Sequence, residues 1–416
     1  MTAKNISYQI LEAAINGLTF WDESKYSIDD YIDSELKDDD RIRKSVTSIL
    51  FTYFRNKAVI DSIIDNFTEV LDPDLERIFQ VTLTQAYFQT GIAAESAANI
   101  AVEYTKENFH TRHVGFVNAV LRNALEVDPG EYIEAMSKKQ RKKIFPELHR
   151  RWKYTLGQDA DSVLETLKYE ALFTFRALKP IPQDELDAAN CEKMDLPEWA
   201  DDYTFYSTTT PPKVFKTDWL ETGSIYIQDP ATVLAPSLLQ IEENDIVLDM
   251  CAAPGGKTIA LSEKLNGAYL IAADSSIRRQ HITLENFERL GLDHPIIAAS
   301  AYNPPFKDES INKIILDVPC SNTGVIRKRP DAIWRFSPEH QDELVKIQRT
   351  IVESAISILA PGGSLVYSTC SIEPEENSMQ IERLLVDYPD LTLVEQKCLL
   401  PTSQHDGGFA ALLHKK

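Results

Sequence analysis

Residues 246–257 read Ile-Val-Leu-Asp-Met-Cys-Ala-Ala-Pro-Gly-Gly-Lys, and a helical pattern begins directly after them. A short apolar run bounded by turn residues suits a strand buried on both faces. Glycines between a strand and a helix let the backbone come close to a ligand, and the helix N-terminus favours an anionic group. The next apolar run, Ala268–Asp274, ends in an acid 18 residues past Gly256. A strand-end acid at that spacing is where a ribose diol is gripped. Further runs follow at Pro295–Ser300, Lys313–Val318, Gly363–Cys370, Leu391–Glu395 and Phe409–His414. Helical patterns at 277–290, 339–359 and 374–387 fall between most of them. Alternating strands and helices predict an α/β fold over residues 223–416, a doubly wound and mostly parallel seven-stranded sheet. Ligands of such sheets sit at the carboxyl ends of the strands.

Upstream the pattern changes. Ile42, Val46, Ile49, Leu50, Tyr53 and Phe54 recur at helical spacing, with Asp40 placed as an N-cap. Further stripes are Leu75, Ile78, Phe79, Thr82 and Ala86, then Ala94, Ala97, Ala98 and Ala101, then Val117, Val120, Leu121 and Leu125. No strand-like alternation competes, so residues 1–130 read as an all-α domain ending near Asp128-Pro129-Gly130. Residues 131–222 read as a small linker subdomain. It opens on a basic stretch, has a short strand at Leu172–Leu178, and turns at Ser207-Thr-Thr-Thr-Pro-Pro212.

A chain of 416 residues is too long for one core and suits two or three domains. Apolar residues at 43% exclude a disordered chain. With 43 Lys+Arg against 64 Asp+Glu, the net charge of −21 argues against non-specific coating of nucleic acid, but leaves room for one basic face. Five cysteines, at 191, 251, 320, 370 and 398, form neither a disulfide framework nor a CxxC pair, so no metal is expected. The first thirty residues carry no apolar segment of signal-peptide type, and no run approaches the length of a membrane span. A cytoplasmic monomer without membrane contact is expected.

The cofactor follows from what the glycine loop lacks. GxGxxG is absent, and a Walker A pattern would need glycine where Cys251 stands. A glycine loop and a strand-end acid without either phosphate motif suit a nucleoside cofactor lacking phosphates, and S-adenosylmethionine answers that description. The run ending at Asp317-Val-Pro-Cys-Ser321 and the run ending at Ser368-Thr-Cys-Ser371 each place a cysteine at a ligand-facing strand end. A lone cysteine there reads as packing, whereas two beside a carboxylate shift the reading toward thiol chemistry. A methyl donor beside a thiol suits pyrimidine C5, which becomes nucleophilic only after a thiolate adds at C6.

Gln228-Asp229, CAAPGGK (251–257), Asp274, DVPCSNTG (317–324), RKRPDAIW (327–334), PGGSLVYSTCSIEPEEN (361–377) and DGGF (406–409) occur in that order. Together they resemble the motif set of the Sun/Fmu (ribosomal small-subunit methyltransferase B) family of RNA cytosine-C5 methyltransferases. Residues 1–130, with Phe116-Val-Asn-Ala-Val-Leu-Arg122, resemble the NusB-like RNA-binding domain of its bacterial rRNA members. The resemblance implies a Rossmann-like class I methyltransferase domain and an unstacked cytosine of 16S rRNA as substrate. It implies Cys370 as the C6 nucleophile, Cys320 as the helper of product release through C5 deprotonation, and Asp317 between cofactor and base. Cys251, Ala252, Ala253, Pro254, Gly255, Gly256, Lys257 and Asp274 would hold S-adenosylmethionine, Asp274 on the ribose. The family's usual acid near the adenine is Ser300 here, the alanine of DAPC is Val318, and the glycine of PCSGTG is Asn322, which narrows the loop beside Cys320.

The basic residues read as an RNA face. Lys138, Lys139, Lys142 and Lys143 lie in a stretch from 138 to 153 whose sole acid is Glu147. Arg327, Lys328 and Arg329 follow the Cys320 loop and would reach phosphates flanking the target base. His110 and His113 read as surface or capping residues. Asn303-Pro-Pro-Phe306 matches an amino-methyltransferase pattern but follows the third strand rather than the fourth, so it reads as a turn. Two other functions remain open on sequence: a non-catalytic RNA-binding or ribosome assembly factor, and a small-molecule methyltransferase.

Overall fold

The structure, a computed structural model, describes residues 6–24, 26–36, 39–68, 72–135, 146–167 and 169–416. It divides into a helical unit, residues 1–150 with 329–335, and an α/β unit comprising 151–328 and 336–416.

The helical unit is built on Ile6–Glu23, Ile28–Glu35, Asp40–Phe67, Pro73–Phe88, Ala94–Asn108, Thr111–Ala124 and Pro129–Ala135. Its core takes the stripes expected of it: Val46, Ile49, Leu50, Tyr53, Phe54, Leu75, Ile78, Phe79, Val117 and Leu121 are buried. Each such aliphatic or aromatic side chain contributes about 1.5–3 kcal/mol on burial. The cap of Asp40–Phe67 is Asp39, not Asp40, because the Asp39 carboxylate accepts from the Arg41 and Ile42 N–H groups. His110 does cap the helix it precedes, its side chain accepting from the Arg112 N–H. The segment Arg329–Arg335 belongs to this unit by its contacts: Trp334 Nε1 donates to the Phe54 carbonyl at 2.8 Å, and Asp331 accepts from the Ile28 N–H at 3.2 Å.

The α/β unit holds two sheets. The smaller is antiparallel, in the order β2-β3-β1-β4, with β1 Phe173–Ala177, β2 Glu192–Lys193, β3 Thr204–Thr208 and β4 Ile225–Ile227. The expected boundary at 222 therefore falls just before the last strand of this sheet. Ser207 and Thr208, read as turn residues, are instead the end of β3, because they pair with Thr174 and Phe173 across the ladder.

The larger sheet has seven strands in the order β10-β11-β9-β8-β5-β6-β7. They are β5 Ile246–Asp249, β6 Tyr269–Asp274, β7 Ile296–Ala298, β8 Ile311–Asp317, β9 Leu359–Thr369, β10 Leu391–Leu399 and β11 Gly408–Lys415. All pairings are parallel except those of β11 with β9 and β10. From β5 the chain winds outward through β6 and β7, then returns to the other side through β8 and β9. The strand order reverses between β5 and β8, the place where such sheets open a ligand crevice. Asn303–Phe306 is irregular chain between β7 and β8.

Candidate active site

The first wall of the site is the turn after β5. Val247, Leu248 and Asp249 are buried at the strand's end, and the chain then runs through Cys251–Gly255 into the helix Gly256–Ser262. Gly255 caps that helix at φ +99, a region closed to most side chains, and a Cβ there would stand 3.1 Å from Thr283 Cγ2. Asp274, at the end of β6, is 6% exposed and ties the turn down: it accepts from the Ala253 N–H at 3.1 Å and the Ser276 N–H at 2.8 Å. Arg279 donates to the Ala253 carbonyl from the following helix. Ser300 lies exposed just beyond β7, its hydroxyl accepting from the Tyr302 N–H. Cys251 is half-buried, and burial pushes its thiol well up.

Carboxylates from three strand ends surround the switch point. Asp249 is fully buried; one oxygen accepts from the Thr258 hydroxyl at 2.7 Å, and the other has no hydrogen-bond partner. Burial raises its carboxyl to about 7. Asp317, at the end of β8, holds the Lys257 ammonium at 2.6 Å. Burial lowers the Lys257 ammonium, but Asp317 and Asp249 outweigh it and hold the lysine above its ordinary value. Lys257 and Asp317 line a cavity together with Asp229, Cys370, Asp406 and Phe409.

At Cys370 the two thiols meet. Cys320 and Cys370 are free, and their Sγ atoms are 3.0 Å apart. They extend the paired ends of β8 and β9, where Asp317 lies opposite Ser368. The Cys370 thiol donates to Asn322 Oδ1 at 2.9 Å, while Asn322 Nδ2 donates to the Cys320 carbonyl at 3.3 Å. Asn322 has φ +61, which asparagine tolerates better than most residues and which explains why it can stand in a glycine's place. The hydrogen bond to Cys370 and burial keep the Cys320 thiol well above its ordinary value. Gly324 passes so close that a Cβ on it would stand 2.7 Å from the Gly407 carbonyl carbon and 2.8 Å from the Cys370 oxygen. Only glycine admits that approach.

The basic residues are placed differently from their expected phosphate contacts. Arg327 is 5% exposed and turned inward, donating to the His405 carbonyl at 3.0 Å and to Asp406 at 3.3 Å. Lys328 bridges Asp229 and Asp406, the latter at 3.0 Å. Burial lowers Lys328, yet the two carboxylates outweigh it and hold the ammonium above its ordinary value. Arg329 pairs with Asp29 within the helical unit. Lys138, Lys139, Lys142 and Lys143 lie outside the described residues. In the same stretch, Arg151 pairs with Glu373 and Glu375, and Lys153 lies 3.6 Å from Asp161.

Sequence reasoning did not single out Asp229 and Asp406 as site residues, although both stand in the quoted motifs. Their positions, two residues after β4 and two residues before β11, were the available signal. Among the described residues no group of His, Cys, Asp and Glu could hold a metal ion, and no helix is long and apolar enough to cross a membrane.

Residues 236–411 match the family described as 16S rRNA methyltransferase RsmB/F, and residues 1–126 match the NusB family. Ribosomal RNA small subunit methyltransferase B of Vibrio vulnificus is 28% identical over 442 residues, covering 100% of this chain and 98% of that protein. The protein of the same name from Shewanella oneidensis is 40% identical over 179 residues, 42% of either chain. Among solved structures, that of PH0851 covers 100% of both chains at TM-score 0.78 and 23% identity, a likeness of fold. A methyltransferase homolog protein from Pyrococcus horikoshii aligns at TM-score 0.53 and 27% identity, over 62% of this chain and 92% of its own. The helical unit is matched at one end and the cysteine-bearing sheet at the other: residues 236–411 belong to the RsmB/F family of 16S rRNA methyltransferases and residues 1–126 to the NusB family.

Proposed function

We propose that this rRNA methyltransferase methylates C5 of a cytosine in 16S rRNA, through a covalent bond between Cys370 and C6 of the base. The observation that carries the reading is the pair of free thiols 3.0 Å apart, of which Cys370 lines one cavity with the Lys257–Asp317 pair. A pyrimidine needs a nucleophile at C6 and a base at C5, and two thiols at adjacent strand ends supply both. The target base has to leave its stack to reach them.

The residues fit S-adenosylmethionine. The strand ends present carboxylates to a cationic ligand, Asp249 keeps an oxygen without a partner, and Gly255 allows close approach of the backbone. Residues 251–257 and Asp274 would hold it, Asp274 on the ribose and Ser300 near the adenine. When bound, it supplies an electrophilic methyl group.

The chain's own residues do the rest. Cys370 passes its proton to the Asp317 carboxylate on the same cavity and its thiolate adds to C6; as the C5–C6 double-bond electrons move toward the N3 side, Asp317 hands that proton to N3. That electron pair makes C5 the nucleophile toward the methyl group that S-adenosylmethionine would supply, with S-adenosylhomocysteine as the leaving group. Once bonded to carbon, Cys370 no longer holds the Cys320 thiol up; Cys320, its own proton released to solvent, removes the C5 proton as thiolate, the C5–C6 double bond re-forms as the Cys370–C6 bond breaks, and N3 gives back its proton. The helical unit and the 138–143 lysines would bind the RNA backbone, which accounts for a local basic stretch in an acidic chain.

Incubation with methyl-labelled S-adenosylmethionine and 16S rRNA, followed by nucleoside analysis, should place the label in 5-methylcytidine. Label in N4-methylcytidine or in any other nucleoside would overturn the reading.

A further inference from the structure

Beneath the two thiols is a carboxylate that the reaction above does not use. Glu376, in the turn Pro374–Glu376, has no exposed surface. One of its oxygens accepts from the Ser321 and Ser371 hydroxyls, the second at 2.8 Å. The other accepts from the Ser321 N–H at 2.9 Å and from Gln348 Nε2 at 2.9 Å. Ser321 follows Cys320 and Ser371 follows Cys370. A single carboxylate therefore grips the residue next to each thiol, and the two serine hydroxyls are themselves 3.1 Å apart. Gln348 adds a third tie, donating to the carbonyl of Pro319, the residue before Cys320, at 2.9 Å.

These four donors are all neutral, so the buried charge is held by hydrogen bonds alone. Burying an ion this way is costly, and a hydroxyl or amide would serve mere packing at less cost. A carboxylate offers something they lack: two oxygens that accept only, aimed at donors from two separate loops. Such an acceptor is needed because the sheet does not set the thiol spacing. The β8–β9 ladder ends at Asp317 and Ser368, with the Val318 N–H donating to the Ser368 carbonyl at 3.1 Å as its last rung, and the cysteines lie beyond it. The Gly324 N–H donating to the Cys370 carbonyl at 3.0 Å is the main-chain link between the two cysteine loops beyond it.

We propose that Glu376 is a positioning residue that sets the separation of Cys320 and Cys370, so that addition at C6 and proton removal at C5 act on one base. The proposal rests on the two-thiol reading above, and it is tested apart from it.

The probe is phenylarsine oxide, whose arsenic forms two As–S bonds while the two thiol protons and its oxygen leave as water. The full-length protein should bind one equivalent, and Cys320→Ala or Cys370→Ala should abolish that binding. Glu376→Gln keeps the size but turns one acceptor into a donor. It should weaken arsenical binding tenfold or more and lower kcat at least tenfold, with KM for S-adenosylmethionine within twofold. Ser321→Ala and Ser371→Ala each remove one tie and should show smaller losses of the same kind; they carry the test if Glu376→Gln does not fold. Undiminished arsenical affinity in the variants would overturn the proposal, whatever their activity. So would a wild-type protein that fails to bind the probe. Weakened arsenical binding with activity that needs neither thiol would leave Glu376 setting the thiol spacing but sink the two-thiol mechanism.

Discussion

The Lys257 ammonium stands 2.6 Å from the Asp317 carboxylate, joining the turn after β5 to the end of β8 across the point where the strand order reverses. Lys257 is thus the counter-charge of a strand-end cluster that also contains the buried Asp249. Its own side chain is 16% exposed and that of Asp317 is 38% exposed, so water screens one partner and not the other. Lys257→Met should therefore lower stability at pH 7 by about 1–2 kcal/mol, less than loss of a fully buried pair. Urea unfolding of the two proteins measures it, and equal midpoints and slopes would show that the pair contributes nothing to the fold.

Asp249 gives a pH prediction with a definite sign. Burial raises its folded-state carboxyl to about 7, above the ordinary carboxylate value that it has when unfolded. The folded state then binds the proton more tightly, so the contribution to stability is full below about pH 4 and is lost as pH rises through about 7. Asp249→Asn imitates the protonated form and leaves the Thr258 hydroxyl an acceptor. It should match wild type near pH 4 and exceed it at pH 8 by on the order of a few kcal/mol, at about 1.4 kcal/mol per unit of pKa. Unfolding free energies that stay parallel from pH 4 to pH 8 would mean that Asp249 is ionised throughout.

Asp274 accepts two main-chain N–H bonds, one on each carboxylate oxygen, which leaves lone pairs for further donors. If these take the ribose hydroxyls, Asp274→Ala should weaken S-adenosylmethionine binding by about 1.5–3 kcal/mol, the range for hydrogen bonds to a charged group. Titration calorimetry reads this directly, and an unchanged affinity would remove Asp274 from the ribose.

What the sequence made legible was whatever repeats with a period or sits at a fixed offset from it. The runs from Ile246 to His414 appear as β5 to β11, and the stripe on Val46, Ile49, Leu50, Tyr53 and Phe54 is core. Cys320 and Cys370 were locatable because each closes a strand. Pairing across space was not legible. That Lys328 faces Asp229 and Asp406, or that Arg327 turns inward, depends on loops meeting from distant parts of the chain. Ser207 and Thr208 carried turn chemistry, but pairing with β1 overrode it. Asn322 looked like an obstruction beside Cys320; its positive φ and its bond to the Cys370 thiol show that it fits the glycine's backbone while adding a contact glycine lacks.

The same two thiols give the sharpest mechanistic prediction, because their proposed tasks fall on either side of methyl transfer. Cys370→Ala removes the nucleophile, so C5 is never activated: no methylation and no covalent RNA adduct are expected. Cys320→Ala leaves the addition and the methyl transfer possible but removes the base for the C5 proton. The methylated base should then stay bonded to Cys370, as a denaturant-resistant protein–RNA complex that migrates as a shifted band. Addition needs an ionised thiol, so Cys370 should also alkylate faster at neutral pH than buried Cys191, whose thiol burial pushes up. Two cysteines that merely packed the cleft would give similar modest stability losses and no adduct in either variant. An adduct in Cys370→Ala, and none in Cys320→Ala, would exchange the two roles, since the trapped bond must belong to whichever thiol remains.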